Sequence, residues 1–257
     1  MGNLLRMDLY RMWRAKSFKV CLILAFAVGL GETPLAKLLV DLGKLFGSGA
    51  EAVLPKETGL SSMIASPLNG LTSMLVMLSV VFFFYADMEN GYIKNIAGQM
   101  PKKGYSILSR FLAVIPHNLV FMVAALVGNV IGTCIFIRIV PDDQILSAVF
   151  TFLLKLVLLQ SICSLLVLVT SSLRNKALGV LLAVLIGLQA MNLIYLGIDK
   201  GLQTILGNPS FSVIPYMPDM LMMQARPDTV RALVSAAVTA AIFLPLAIRV
   251  FDRRDVK

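Results

Sequence analysis

The residues able to do chemistry are few, and most lie inside long apolar runs. Lys155 stands about ten residues into the run that starts at Ile145. His117 and Asn118 follow Pro116 in another, and Asn69, Thr72, Asn129, Gln189 and Asn192 are scattered through the rest. A lysine at the centre of a membrane helix costs about 2.5–3.5 kcal/mol, and each Leu, Ile, Val or Phe returns roughly 0.3–0.6. Ile145–Val169 holds seventeen of these four types, so the run inserts with Lys155 in it. Two readings stay open for Lys155. It is either a functional cation facing an inner cavity or a snorkelling or interhelical partner. His117 and Asn118 are expected to hydrogen-bond a neighbouring helix, where Pro116 frees a carbonyl. Asn69, Thr72, Asn129, Gln189 and Asn192 are either interhelical glue or the lining of a pathway.

Catalytic constellations are missing from the sequence. A single histidine excludes an H-E-x-x-H zinc site. Cys21, Cys134 and Cys163 all lie in apolar runs and read as buried free thiols rather than a disulfide framework or metal site. There is no G-x-S-x-G elbow, no paired carboxylate inside an apolar run and no G-x-x-x-x-G-K-[ST] loop. The expectation is a chain that is not an enzyme, with no metal or cofactor of its own. If it does driven work, the energy comes from a partner.

Those few polar groups must be positioned by membrane helices. The chain has 257 residues, 58% hydrophobic and 14% charged, with a mean hydropathy of +0.85. A soluble chain is about 45–50% apolar and about 25% charged. Six spans of roughly 20 apolar residues are predicted over 18–39, 64–85, 111–137, 145–173, 177–198 and 230–251. The net charge of +9 falls at the ends of these runs rather than in one patch, which argues for bilayer topology and against nucleic acid. With the N-terminus inside, fifteen Lys/Arg fall on inner segments and seven on outer ones. This places both termini in the cytoplasm. The predicted architecture is a single all-α integral membrane domain, multi-pass in the cell membrane.

The polar segments are patterned as well. Leu5, Leu9, Met12 and Trp13 share one helical face, with Arg11 and Arg14 opposite, so 1–17 reads as a helix in the membrane interface. Between the second and third spans, Asp87–Arg110 places Tyr92, Ile93 and Ile96 at helical spacing beside Lys94 and Asn95. Gly98 and Pro101 then end that helix. Leu35, Leu38, Leu39, Leu42 and Leu45 suggest a second interfacial helix in the first outer loop. The outer stretch from about Asp199 to Arg231 carries Met220-Leu221-Met222-Met223. It reads either as helices at the outer leaflet or as a loop packed on the bundle, and Pro227-Asp228-Thr229 is a helix start before the last span.

Three stretches carry a resemblance: Glu89-Asn90-Gly91-Tyr92-Ile93-Lys94-Asn95, Ser109-Arg110 and Phe251-Asp252-Arg253-Arg254-Asp255-Val256. With the basic N-terminal helix and six spans, they resemble the membrane (permease) subunit of a type-2 ABC exporter. The resemblance implies a pathway formed with a second permease, identical or related. It implies two copies of a separate ATPase, which would bind ATP and Mg. Asp87, Glu89, Gly91, Tyr92, Ile93, Lys94, Asn95, Ile96 and Arg110 would couple the permease to that ATPase. Leu5, Leu9, Arg11, Trp13 and Arg14 would belong to a connecting helix at the lipid surface. The spans lack a charged lumen, which favours an amphipathic or hydrophobic cargo such as a peptide, an antimicrobial or a lipid-like molecule. The alternative is a stand-alone secondary carrier or channel with no ATPase.

Overall fold

The computed structural model describes residues 2–45, 55, 57–89, 104–172, 175–208 and 210–253. Helices α1 (Gly2–Arg14) and α2 (Lys16–Leu45) are separated only by Ala15. Strand β1 (Glu57–Gly59), the short α3 (Leu60–Ala65) and α4 (Gly70–Glu89) follow. Then come α5 (Gly104–Phe136), β2 (Arg138–Val140), α6 (Ile145–Val167) with a π-helical turn at Leu168–Ser172, α7 (Lys176–Gly187) and α8 (Met191–Leu206). A 3-10 turn at Ile214–Tyr216, α9 (Pro218–Met223) and α10 (Thr229–Asp252) complete the order. Five helical stretches are long and apolar enough to cross a membrane, and six if α7 and α8 count as one.

The apolar periodicity explains the packing. On α5, Leu112, Ile115, Leu119, Val123, Val127, Ile131 and Ile135 recur at three or four residues, and all face outward. The opposite stripe, Val114, His117, Phe121 and Ala125, is buried. A soluble bundle does not expose such a continuous apolar face; hydrocarbon solvates it. The core is formed by Val76, Met77, Val80, Val81 and Phe84 of α4 against Leu158, Leu159, Ile162, Cys163 and Leu166 of α6.

The tightest seam joins α2 and α5. Gly128-Asn129-Val130-Ile131-Gly132 is a G-x-x-x-G motif. A Cβ on Gly132 would lie 2.2 Å from the Leu30 carbonyl oxygen, and one on Gly128 would lie 2.4 Å from that of Phe26. Only glycine admits this backbone approach.

Several expected boundaries change. The span 18–39 is one thirty-residue helix that continues through Pro34. Leu35, Leu38, Leu39 and Leu42 belong to it and are exposed, so the stripe expected as a second helix is part of α2. The span 64–85 is broken at 66–69, where Pro67 stops α3 and Asn69 restarts the chain as the cap of α4. The third span begins seven residues earlier than expected, at Gly104. The fifth, 177–198, is not continuous: α7 and α8 meet at 84°. The residue at that bend, Gln189, has φ +58° in the left-handed region.

At the end of the bundle away from both described chain ends, β1 and β2 pair in parallel with Glu57 opposite Arg138, a small strand element that periodicity did not suggest. The apolar stretch in the last outer segment is α9, whose Leu221 and Met222 are buried against the bundle. Asp228 caps α10, accepting the amides of Val230 and Arg231 at 2.9 and 3.2 Å, as Pro227-Asp228-Thr229 implied.

Candidate functional site

Polar groups gather at three levels. At the first, both described ends of the chain meet the start of α5. Ser109 Oγ donates to Asp8 Oδ2 at 2.6 Å, and the Gly104 amide donates to Asp252 Oδ1 at 2.6 Å. Asp8, Ser109 and Arg110 are all buried, Arg110 at 1% exposure. Asp8 was not foreseen, because on a surface helix it reads as part of the polar face. The faces of α1 divide differently from the expected apolar and basic sides. Asp8 and Met12 are its buried face, Leu5, Leu9 and Arg11 flank it half-buried, and Trp13 and Arg14 point outward. Trp13 meets Phe18 edge-on at 5.0 Å, and Arg14 lies over the Tyr10 ring at 4.6 Å.

Of the other coupling residues, Asp87 and Glu89 lie in the last turn of α4. Gly91, Tyr92, Ile93, Lys94, Asn95 and Ile96 fall outside the described residues.

The second level is the membrane middle. Gln160 Nε2 donates to the Phe111 carbonyl at 2.7 Å, one residue before the Leu112 carbonyl that Pro116 leaves without its helical amide. A carbonyl can only accept, so the orientation of Gln160 is set, and the rest of the chain follows. Asn118 Nδ2 donates to Gln160 Oε1 at 3.1 Å, and Asn118 Oδ1 accepts from His117 Nδ1 at 3.1 Å. His117 Nε2 hydrogen-bonds the Ser79 hydroxyl at 3.0 Å. The relay ties α4, α5 and α6 together. Its ring stacks on Phe121 at 4.5 Å and meets Phe18 edge-on at 5.4 Å. The expected interhelical pairing of His117 and Asn118 is present.

Lys155 lies at similar depth on α6, at 1% exposure. Among the described residues nothing forms a hydrogen bond or ion pair with its Nζ.

The third level is the far end of α2 and α5, away from Asp8 and Asp252. Glu32 Oε2 accepts from Asn69 Nδ2 at 3.2 Å and from Asn129 Nδ2 at 3.0 Å. Asn69 Oδ1 is taken by the Thr72 amide at 2.7 Å, and Asn129 Oδ1 by the Thr133 hydroxyl at 3.0 Å. Thr133 also bonds Thr33 at 2.8 Å. Asn69 and Asn129, both read in the sequence as interhelical glue or pathway lining, are brought together on the Glu32 carboxylate. Thr72 is buried one turn into α4, and its hydroxyl makes no hydrogen bond among the described residues. Gln189 and Asn192 do not join this group. Gln189 is exposed at the α7–α8 bend, and Asn192 is half-buried in the first turn of α8.

No protein-family model matches the chain, and no curated protein sequence matches it.

Proposed function

We propose that the chain is the permease subunit of an ATP-driven exporter. It works with a second permease, a copy of this chain, and with two copies of a separate ATPase that binds ATP and Mg. The observation that supports this most is the convergence at the start of α5. Asp8 from the N-terminal helix and Asp252 from the last span both bond the first turns of α5, in which the Asp87–Arg110 segment ends. A push on that segment would reach α1, α4, α5 and α10 together, as coupling to a closing ATPase requires. In this reading both termini and the segment are cytoplasmic, which agrees with the Lys/Arg bias. The exposed apolar helix faces suit an amphipathic or hydrophobic cargo taken from the membrane or cytoplasm.

The test is a mild-detergent pull-down of the tagged chain from its native membrane, with mass spectrometry and an ATPase assay. A stoichiometric P-loop ATPase, lost in Ile93→Asp and Gly91→Pro, is the expected result. Wild-type levels of ATPase in both variants would refute the coupling assignment. One observation favours a second reading, a stand-alone carrier or channel: Lys155 has no partner among the described residues at membrane depth. That reading gains if the chain purifies folded with no ATPase and Lys155→Met abolishes transport.

A further inference from the structure

The Glu32 cluster opens on a cavity of about 280 Å³ at the same far end of the bundle. Thr33, Thr58, Ser62, Ser66, Asn129 and Thr133 supply most of its polar wall, and Ala36, Pro55, Met63 and Ile137 the remainder. Among the described residues, Glu32 is its one charged lining residue.

The hydrogen bonds show how the wall is used. The Thr72 amide can only donate, so it fixes Asn69 with its NH₂ toward Glu32. Both amide donors then converge on Oε2, which orients the carboxylate. Among the described residues nothing bonds Oε1. The Asn129 oxygen is occupied by Thr133, and Ser62 donates away from the group, to the Gly59 carbonyl at 2.7 Å. What remains is an oriented carboxylate oxygen with hydroxyls around it and no basic residue on the described wall. Such a wall accepts hydrogen bonds and carries negative charge.

We propose that this cavity binds an organic cation, a primary ammonium or guanidinium group. Its N–H donors would meet Glu32 Oε1, and its carbon chain would lie against Ala36, Met63 and Ile137. A guanidinium or ammonium matches a carboxylate acceptor, and a concave site with a few convergent polar groups is the usual form of a small-molecule pocket. Among the described residues no three His, Cys, Asp or Glu side chains gather as a metal site would need. The inference does not depend on the exporter reading, because equilibrium binding is measured without transport.

The experiment uses the full chain in phosphatidylcholine nanodiscs and radiolabelled agmatine, which carries both cationic groups. Empty nanodiscs give the background. Saturable binding is expected, weakened about tenfold or more in Glu32→Gln and largely retained in Glu32→Asp. Ala36→Leu fills the cavity while leaving the carboxylate in place, and it should also abolish binding. This second variant keeps the test decisive if Glu32→Gln does not fold. Unchanged binding in Glu32→Gln or in Ala36→Leu would overturn the proposal. So would equal affinity for the uncharged analogue 4-acetamidobutylurea. Sodium competing as well as unlabelled agmatine would overturn the organic-cation assignment.

Discussion

Two polar clusters in this molecule use the same side-chain chemistry to opposite ends. The relay through Gln160, Asn118, His117 and Ser79 is closed: it starts on a backbone carbonyl, and each donor in it meets a protein acceptor. The cluster around Glu32 is open: two amides hold one carboxylate oxygen and the other borders a cavity. A closed chain at membrane depth ties helices together, since no water is present to replace a lost partner. An open one leaves an acceptor for something that arrives from outside. Lys155 falls on neither side, being buried like the closed relay yet lacking a partner among the described residues.

The largest effect expected is at Lys155. Lys155→Met removes a cation from the middle of a span and should stabilise the chain by about 2.5 kcal/mol or more in mixed-micelle denaturation. A simultaneous loss of transport would mark a residue kept for function at the expense of stability. A fall in stability would show that a group outside the described residues holds the ammonium. Next comes Gly132→Leu, which forces α2 away from α5 at the Leu30 carbonyl. It should cost about 1–3 kcal/mol and also separate Asn129 from Glu32, so agmatine binding falls with it. A seam that tolerated the leucine would refute the close approach.

Asn118→Leu should cost about 1–2 kcal/mol, because it strands both Gln160 and His117. Glu32→Gln keeps an oxygen for the two amides and should change stability by less than about 0.5 kcal/mol. That contrast between Asn118 and Glu32 is the direct test of closed against open, and equal costs would erase the distinction. The smallest effect expected is at Asp219 in α9. Burial pushes its carboxyl above the ordinary range, although Tyr195 donates to it at 3.2 Å. A raised carboxyl pKa means that its stabilising contribution is complete below the unfolded value and is lost as pH rises through the folded one. Thermal midpoints of the wild type should therefore fall slightly from pH 4 to pH 7, and those of Asp219→Asn should not.

The helices were legible because hydrocarbon imposes a composition: runs such as Ile145–Val169 allow little else. Pro116 and Asp228 were legible because a missing amide and a capping carboxylate act within one turn. Three features were not. Glu32 meets Asn69 and Asn129 across 37 and 97 residues, and no local pattern encodes that distance. Asp8 looks like any polar residue of an amphipathic helix until Ser109 is placed against it. The bend at Gln189 carries neither Gly nor Pro at its turning residue, and from Ala177 to Ile198 only Gln189, Asn192 and Tyr195 interrupt the apolar run.

That bend has a consequence for the lipid. Before the chain turns by 84°, α7 has only twelve residues, Lys176–Gly187. At 1.5 Å per residue it is a rod of about 18 Å, set in hydrocarbon about 30 Å thick. A bilayer meeting so short a wall thins beside it, at a cost of fractions of a kcal/mol per Å of mismatch. The protein therefore carries a notch in its own solvent. The chain should therefore partition toward thinner membranes.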